Sequence, residues 1–133
     1  MSEPSTGQPI WIDEAVVLAV HDRQLVEHGG AAGLRDKSLL ESALARPLNH
    51  LAYSGADVIE LAAKYTAGIV QNHPFVDGNK RTGFVVGVLF LELNGYRLTA
   101  SEEAAAQAVL ELAAGTIDDR GFCEFLRATA IAE

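Results

Sequence analysis

His73-Pro74-Phe75-Val76-Asp77-Gly78-Asn79-Lys80-Arg81-Thr82-Gly83 is the stretch on which the reading of this chain turns. Nowhere else in the 133 residues do a histidine, a carboxylate, an amide, a glycine and two adjacent cations fall so close together. Apolar segments of helical period flank it, which puts the polar cluster in a turn between two helices. The start of a helix offers unpaired N–H groups and a positive dipole end, a ready site for phosphate. Lys80 and Arg81 add charge there, and Asp77 could hold a divalent metal against the phosphates.

Around that turn the composition is that of one soluble domain. Hydrophobic residues make up 49% and charged ones 21%, enough apolar material for a core at this length. No run of roughly 18 apolar residues predicts a membrane span. Met1-Ser2-Glu3-Pro4 lacks the basic-then-apolar layout of a signal peptide, so a cytoplasmic protein is expected. The single cysteine, Cys123, excludes an internal disulfide and sits among Phe122, Phe125 and Leu126 as a packing residue. A net charge of −8 argues against broad affinity for nucleic acid, while leaving room for a local positive pocket.

Outward from the turn, the pattern predicts an all-α bundle. Residues 1–9 read as a frayed tail and 10–133 as one domain. A first helix spans Ile12 to about His28, capped by Asp13 and stopped by Gly29-Gly30. Asp36 caps a second, which ends before Pro47; Pro47 to Gly55 has no clear period and reads as a loop or short strand. Asp57 and Glu60 have capping-box spacing ahead of a third helix to about Asn72. The fourth, Asn79 to Asn94, is apolar on nearly every side, as a central buried helix would be. Its Gly83 and Gly87 share a face open to a neighbouring backbone. Tyr96-Arg97-Leu98 is a connector, Thr99 to Glu102 has capping-box spacing, and Asp118 or Asp119 opens the last helix. No strand alternation is evident.

Chemically, the turn carries the parts of phosphoryl transfer. Imidazole changes protonation near neutral pH, so His73 could serve as general base. Asp77 is a candidate Mg²⁺ ligand. Gly78 lets the backbone approach a ligand, and the N–H groups of Asn79 and Lys80 would point at it. Arg81 can fork onto phosphate oxygens. The structural alternative is that Asp77 and Asn79 cap a helix, Phe75 staples the loop to the core, and the cations are solvated.

The stretch closely resembles the core motif of the Fic/Doc (Fido) superfamily, HxFx(D/E)(G/A)N(K/G)R, at every defined position. Ile12 to Gly30, the tyrosine-bearing helix before the motif and Leu89 to Tyr96 after it resemble the Doc (death-on-curing) toxins. The resemblance implies a Fido helical bundle with ATP and Mg²⁺ at the motif. His73 would be the base, Asp77 the Mg²⁺ ligand, and Gly78, Asn79, Lys80 and Arg81 the phosphate cradle, Lys80 and Arg81 also serving catalysis. Fic proteins that transfer AMP usually carry glycine where this chain has Lys80. Doc-type members carry the lysine and act as kinases on a hydroxyl of elongation factor Tu, halting translation, and a separate antitoxin restrains them.

Gly78, where the Doc archetype has alanine, is the Fic-like choice and keeps AMP transfer as a second reading. A non-enzymatic binding module is the third. Fic proteins with a built-in inhibitory helix carry (S/T)xxxE(G/N); Thr99 to Glu103 comes nearest, but Ala104 follows it, so no inhibitor within the chain is expected. Arg46 to Tyr53 stands where the family has its flap loop, which clamps a target peptide as an added strand. His21, His28 and His50 match no metal-ligand spacing, and surface or capping roles are expected of them. Glu102-Glu103 and Asp118-Asp119 suit helix first turns.

Overall fold

Capping chemistry decides where most helices of this chain begin. In the computed structural model, which describes residues 8–133, α1 (Glu14–His28) starts at Asp13, whose side chain accepts from Val16 N–H. Asp36 accepts from Ser38 and Leu39 N–H at the head of α2 (Lys37–Ser54). The full capping box of Asp57 and Glu60 forms at α3 (Val58–Asn72). After α4 (Asn79–Leu93), a first strand β1 (Tyr96–Leu98) leads to α5 (Glu102–Ala114), then α6 (Asp119–Thr129), capped by Asp118, and β2 (Ala130–Ala132). The cap of α5 is Ser101, not Thr99, whose hydroxyl donates to Thr129 O at 2.7 Å.

Three further expectations, on α2, on the flap and on the connector, are corrected. The second helix does not stop before Pro47 but runs on through it to Ser54. Proline removes one helical N–H, and the carbonyl four residues back, Ala43 O, loses its partner. That side of α2 lies against α3, where Gly68 comes so near that a Cβ there would stand 3.0 Å from Ala43 O. Tertiary packing thus overrides a local breaker. Consequently Arg46 to Tyr53 is not a flap loop: it lies within α2, and Arg46 bonds Gln71 and Asp119. Thirdly, Tyr96–Leu98 is a strand, paired antiparallel with β2 in the register Tyr96 to Ala132 and Leu98 to Ala130. Three-residue strands are too short to display alternation.

The centre of the bundle is α3, ten of whose 15 residues are buried. α4 packs along it through one face and exposes Lys80, Arg81, Glu92 and Leu93, so the most buried helix is the third and not the fourth. The contact needs Gly83 and Gly87, as their spacing predicts. Thr66 Oγ1 donates to Gly83 O at 2.8 Å, and a Cβ at Gly87 would overlap that hydroxyl and stand 3.2 Å from Ala62 O. Gly87→Ala is therefore expected to destabilise the fold by about 1–3 kcal/mol, through overpacking and a lost hydrogen bond. A melting temperature equal to that of the unmodified protein would refute this account of the α3–α4 contact.

α6 is tied to this centre by charge. Asp119 takes bonds from Lys64 and, at 3.4 Å, from Arg46; Arg127 reaches Asp57 at 2.9 Å. The expected tail falls mostly on residues 1–7, outside the described residues. Ile10 exchanges two hydrogen bonds with the Asn94 side chain, at 2.7 and 3.0 Å. No described helix is long and apolar enough to cross a membrane.

Candidate functional site

The turn between α3 and α4 is held from several directions. α3 ends at His73 in the left-handed conformation (φ 54°, ψ 55°), the one non-glycine residue with positive φ among the described residues. Such a backbone is strained for an L residue and persists where its surroundings hold it. Here they do. The Arg35 guanidinium donates to the carbonyls of His73 (2.8 Å) and Asn72 (3.2 Å), and the N–H groups of Arg35 and Asp36 both donate to Pro74 O (2.7 and 3.0 Å). The carbonyls of Asn72, His73 and Pro74, where α3 gives way to the turn, are thereby satisfied. Arg35→Ala should lower stability by about 1 kcal/mol and depress any activity that depends on where His73 stands; thermal denaturation beside an activity assay would read both.

Phe75 is fully buried and staples the turn to the core. Its N–H donates to Asn79 Oδ1 (2.9 Å) and its carbonyl accepts from Asn79 Nδ2 (3.0 Å). The Asn79 side chain is thus spent on the loop, and only its backbone N–H is left for the phosphate-binding part assigned to it. His21 is not a surface residue as expected: it is 3% exposed. Its ring stacks on Phe75 with centroids 3.8 Å apart and planes 9° from parallel, and its Nε2–H donates to Asp77 O at 2.8 Å. The Asp77 carboxylate accepts from Ala31 N–H (3.3 Å) and Gly78 N–H (2.9 Å). Those two bonds, with the nearby charges of Arg81 and Lys80, hold its carboxyl below the ordinary carboxylate value.

α4 differs from the other five described helices in one respect. It has no side-chain cap; its N-cap is Gly78, at φ +80°, a conformation that accounts for glycine on its own. Lys80 and Arg81 are exposed, and neither is in a salt bridge among the described residues. This bare helix start opens into a cavity of about 510 Å³. His73, Asp77, Gly78, Asn79, Lys80 and Arg81 all line it, so the fold brings every proposed site residue together. The apolar part of the lining is made by Phe84 of α4 with Ala105, Ala106, Val109 and Leu110 of α5. Glu102, whose charge suits the α5 first turn, lines the cavity as well.

A model of the Fic/DOC family matches residues 11–91. The chain belongs to the Fic/DOC family. It is 33% identical over 90 residues to the "Protein kinase doc" of Escherichia phage P1, covering 67% of this chain and 71% of that protein. It is 37% identical over 79 residues to the "Toxin Doc" of Mycolicibacterium smegmatis (strain ATCC 700084 / mc(2)155), covering 56% of this chain and 59% of that one. In this Fic/DOC chain the family match ends before α5, so the part of the apolar wall that α5 contributes lies outside it, while Phe84 lies within it.

Sequence reasoning about this Fic/DOC chain missed Arg35, His21 and Glu102. Arg35 and His21 act across 38 and 56 residues, and nothing local marks them; the invisible part was the packing of α1 and of the loop after it against the turn. His50 pairs with Glu60 at 3.3 Å and takes no part in the site. No group of three or more His, Cys, Asp or Glu among the described residues could hold a metal alone. A cation here would need phosphate oxygens beside Asp77, which is the manner in which Mg²⁺ is usually bound.

Proposed function

We propose that this chain is a Doc-type toxin of a toxin–antitoxin pair. Its residues 10–133 form a Fido domain acting as a protein kinase, and it transfers the γ-phosphate of ATP to a Ser or Thr hydroxyl of a translation factor of the elongation factor Tu class. The observation that carries this reading is the uncapped start of α4, opening with Lys80 and Arg81 into a cavity that His73 and Asp77 also line. Family membership supports it, and so do the two relatives, one named a kinase and one a toxin.

On this reading each residue has a part. The N–H groups of Asn79, Lys80 and Arg81 at the helix start receive the phosphate oxygens. Arg81 forks onto the oxygens that gain charge in the transition state, and Lys80 adds a second cation. His73 accepts the proton of the attacking hydroxyl. Mg²⁺, bound with the nucleotide, would neutralise phosphate charge, with Asp77 as its protein ligand. Phe84, Val109 and Leu110 offer the base an apolar wall, and the Glu102 carboxylate an acceptor for ribose or amino hydrogens. The cytoplasm, where the target factor works, is the place of action, and a separate antitoxin restrains it.

AMP transfer on the same scaffold is the second reading, favoured by Gly78. The test is a pair of labels given to the purified protein with elongation factor Tu. Label from γ-labelled ATP should move to the protein target, and label from α-labelled ATP should not. Movement of the α label would favour the AMP transferase. If neither moved, a binding module would be the better description.

A further inference from the structure

α1 contributes nothing to the polar cluster, yet its His21 governs one peptide of the turn. The carbonyl of Asp77 and the N–H of Gly78 belong to the same peptide group. The carbonyl accepts from His21 Nε2 at 2.8 Å, and the N–H donates to the Asp77 carboxylate at 2.9 Å. A carbonyl can only accept, so Nε2 must carry the proton, which sets the role of that nitrogen. The ring cannot swing away, because it is 3% exposed and lies flat on Phe75. Phe75 is itself locked from both sides by Asn79.

We infer that His21 is a positioning residue for the site: it fixes the plane of the Asp77–Gly78 peptide and thereby the direction of the Asp77 carboxylate. Were that peptide to rotate, the Gly78 N–H would leave the carboxylate, and Asp77 would keep only its longer bond from Ala31, 3.3 Å. Core packing alone would ask only for a flat apolar ring at position 21. The donated hydrogen bond is the additional demand. The inference rests on the phosphoryl-transfer reading for what the carboxylate does, and on the hydrogen bonds alone for how it is aimed.

Two variants separate the ring from the donor. His21→Phe keeps a ring against Phe75 and leaves the Asp77 carbonyl without its partner. His21→Gln loses the ring and keeps an N–H at nearly the reach of Nε2. Each is assayed for γ-phosphate transfer, and for affinity for a fluorescent ATP analogue with and without Mg²⁺, at a temperature where circular dichroism shows it folded. His21→Phe should lose roughly 10–100-fold in transfer and in the Mg²⁺-dependent part of binding, and His21→Gln should restore both to within about threefold of the unmodified protein. His21→Leu, also without a donor, replaces the phenylalanine variant if that one fails to fold. Equal values for His21→Phe and the unmodified protein would overturn the inference, as would equal losses in the Phe and Gln variants. If the unmodified protein transfers no phosphate but binds the analogue in the order Gln above Phe, the reaction assignment fails and the role of His21 stands.

Discussion

Removing the imidazole of His73 should lower phosphoryl transfer by about 10²–10⁴-fold, the usual cost of losing a general base, and should abolish toxicity on expression. The choice of variant matters because His73 stands at φ 54°. Alanine visits that region less readily than histidine, so a failure of His73→Ala would mix chemistry with stability. Asparagine tolerates the left-handed region and carries no basic nitrogen. His73→Asn should therefore melt close to the unmodified protein and still fail to transfer. Growth arrest at full strength by His73→Asn would remove the proton-accepting role assigned to this residue.

Asp77→Asn should come next in size, with transfer reduced on the order of 10²–10³-fold. The substitution is nearly isosteric, and the amide oxygen can still accept from the Gly78 N–H, so the turn should largely keep its shape, losing only the longer bond from Ala31, whose N–H then faces the amide NH₂. What disappears is the charge, which the N–H groups of Ala31 and Gly78 and then the cations Arg81 and Lys80 favour in the folded protein. The distinguishing measurement is the Mg²⁺ dependence of nucleotide binding. Asp77→Asn should flatten it, whereas a residue concerned only with the shape of the loop would leave it intact.

How much of this was legible in the sequence depended on the range of each interaction. Asp13, Asp36, Asp57 with Glu60, and Asp118 cap residues two or three positions ahead, and local chemistry of that kind can be read from spacing. The eleven-residue motif was legible for the same reason, since all its polar residues lie within a turn of one another. Pro47 misled because its local meaning is to break a helix, while packing against Gly68 of α3 keeps α2 continuous. The pairing of β1 with β2 was hidden because each strand is three residues long and the two lie at opposite ends of the segment formed by α5 and α6. Asn79 carries a part that spacing does not display: its backbone N–H is the group expected to face a ligand, and its side chain is a brace for Phe75.

The bare start of α4 has a thermodynamic consequence. Five helices close their first turn with an aspartate or serine oxygen, a contribution typically worth about 1 kcal/mol apiece. α4 forgoes it, and on the function proposed above a phosphate in the cavity takes the place of the missing oxygen. Occupancy and folding are then linked: a ligand that binds only the native state raises its stability in proportion to the logarithm of its concentration. A cap from within the chain would compete with the ligand for the same N–H groups. At Gly78 it would also bring strain, since the backbone there stands at φ +80° and a capping side chain needs an extended backbone.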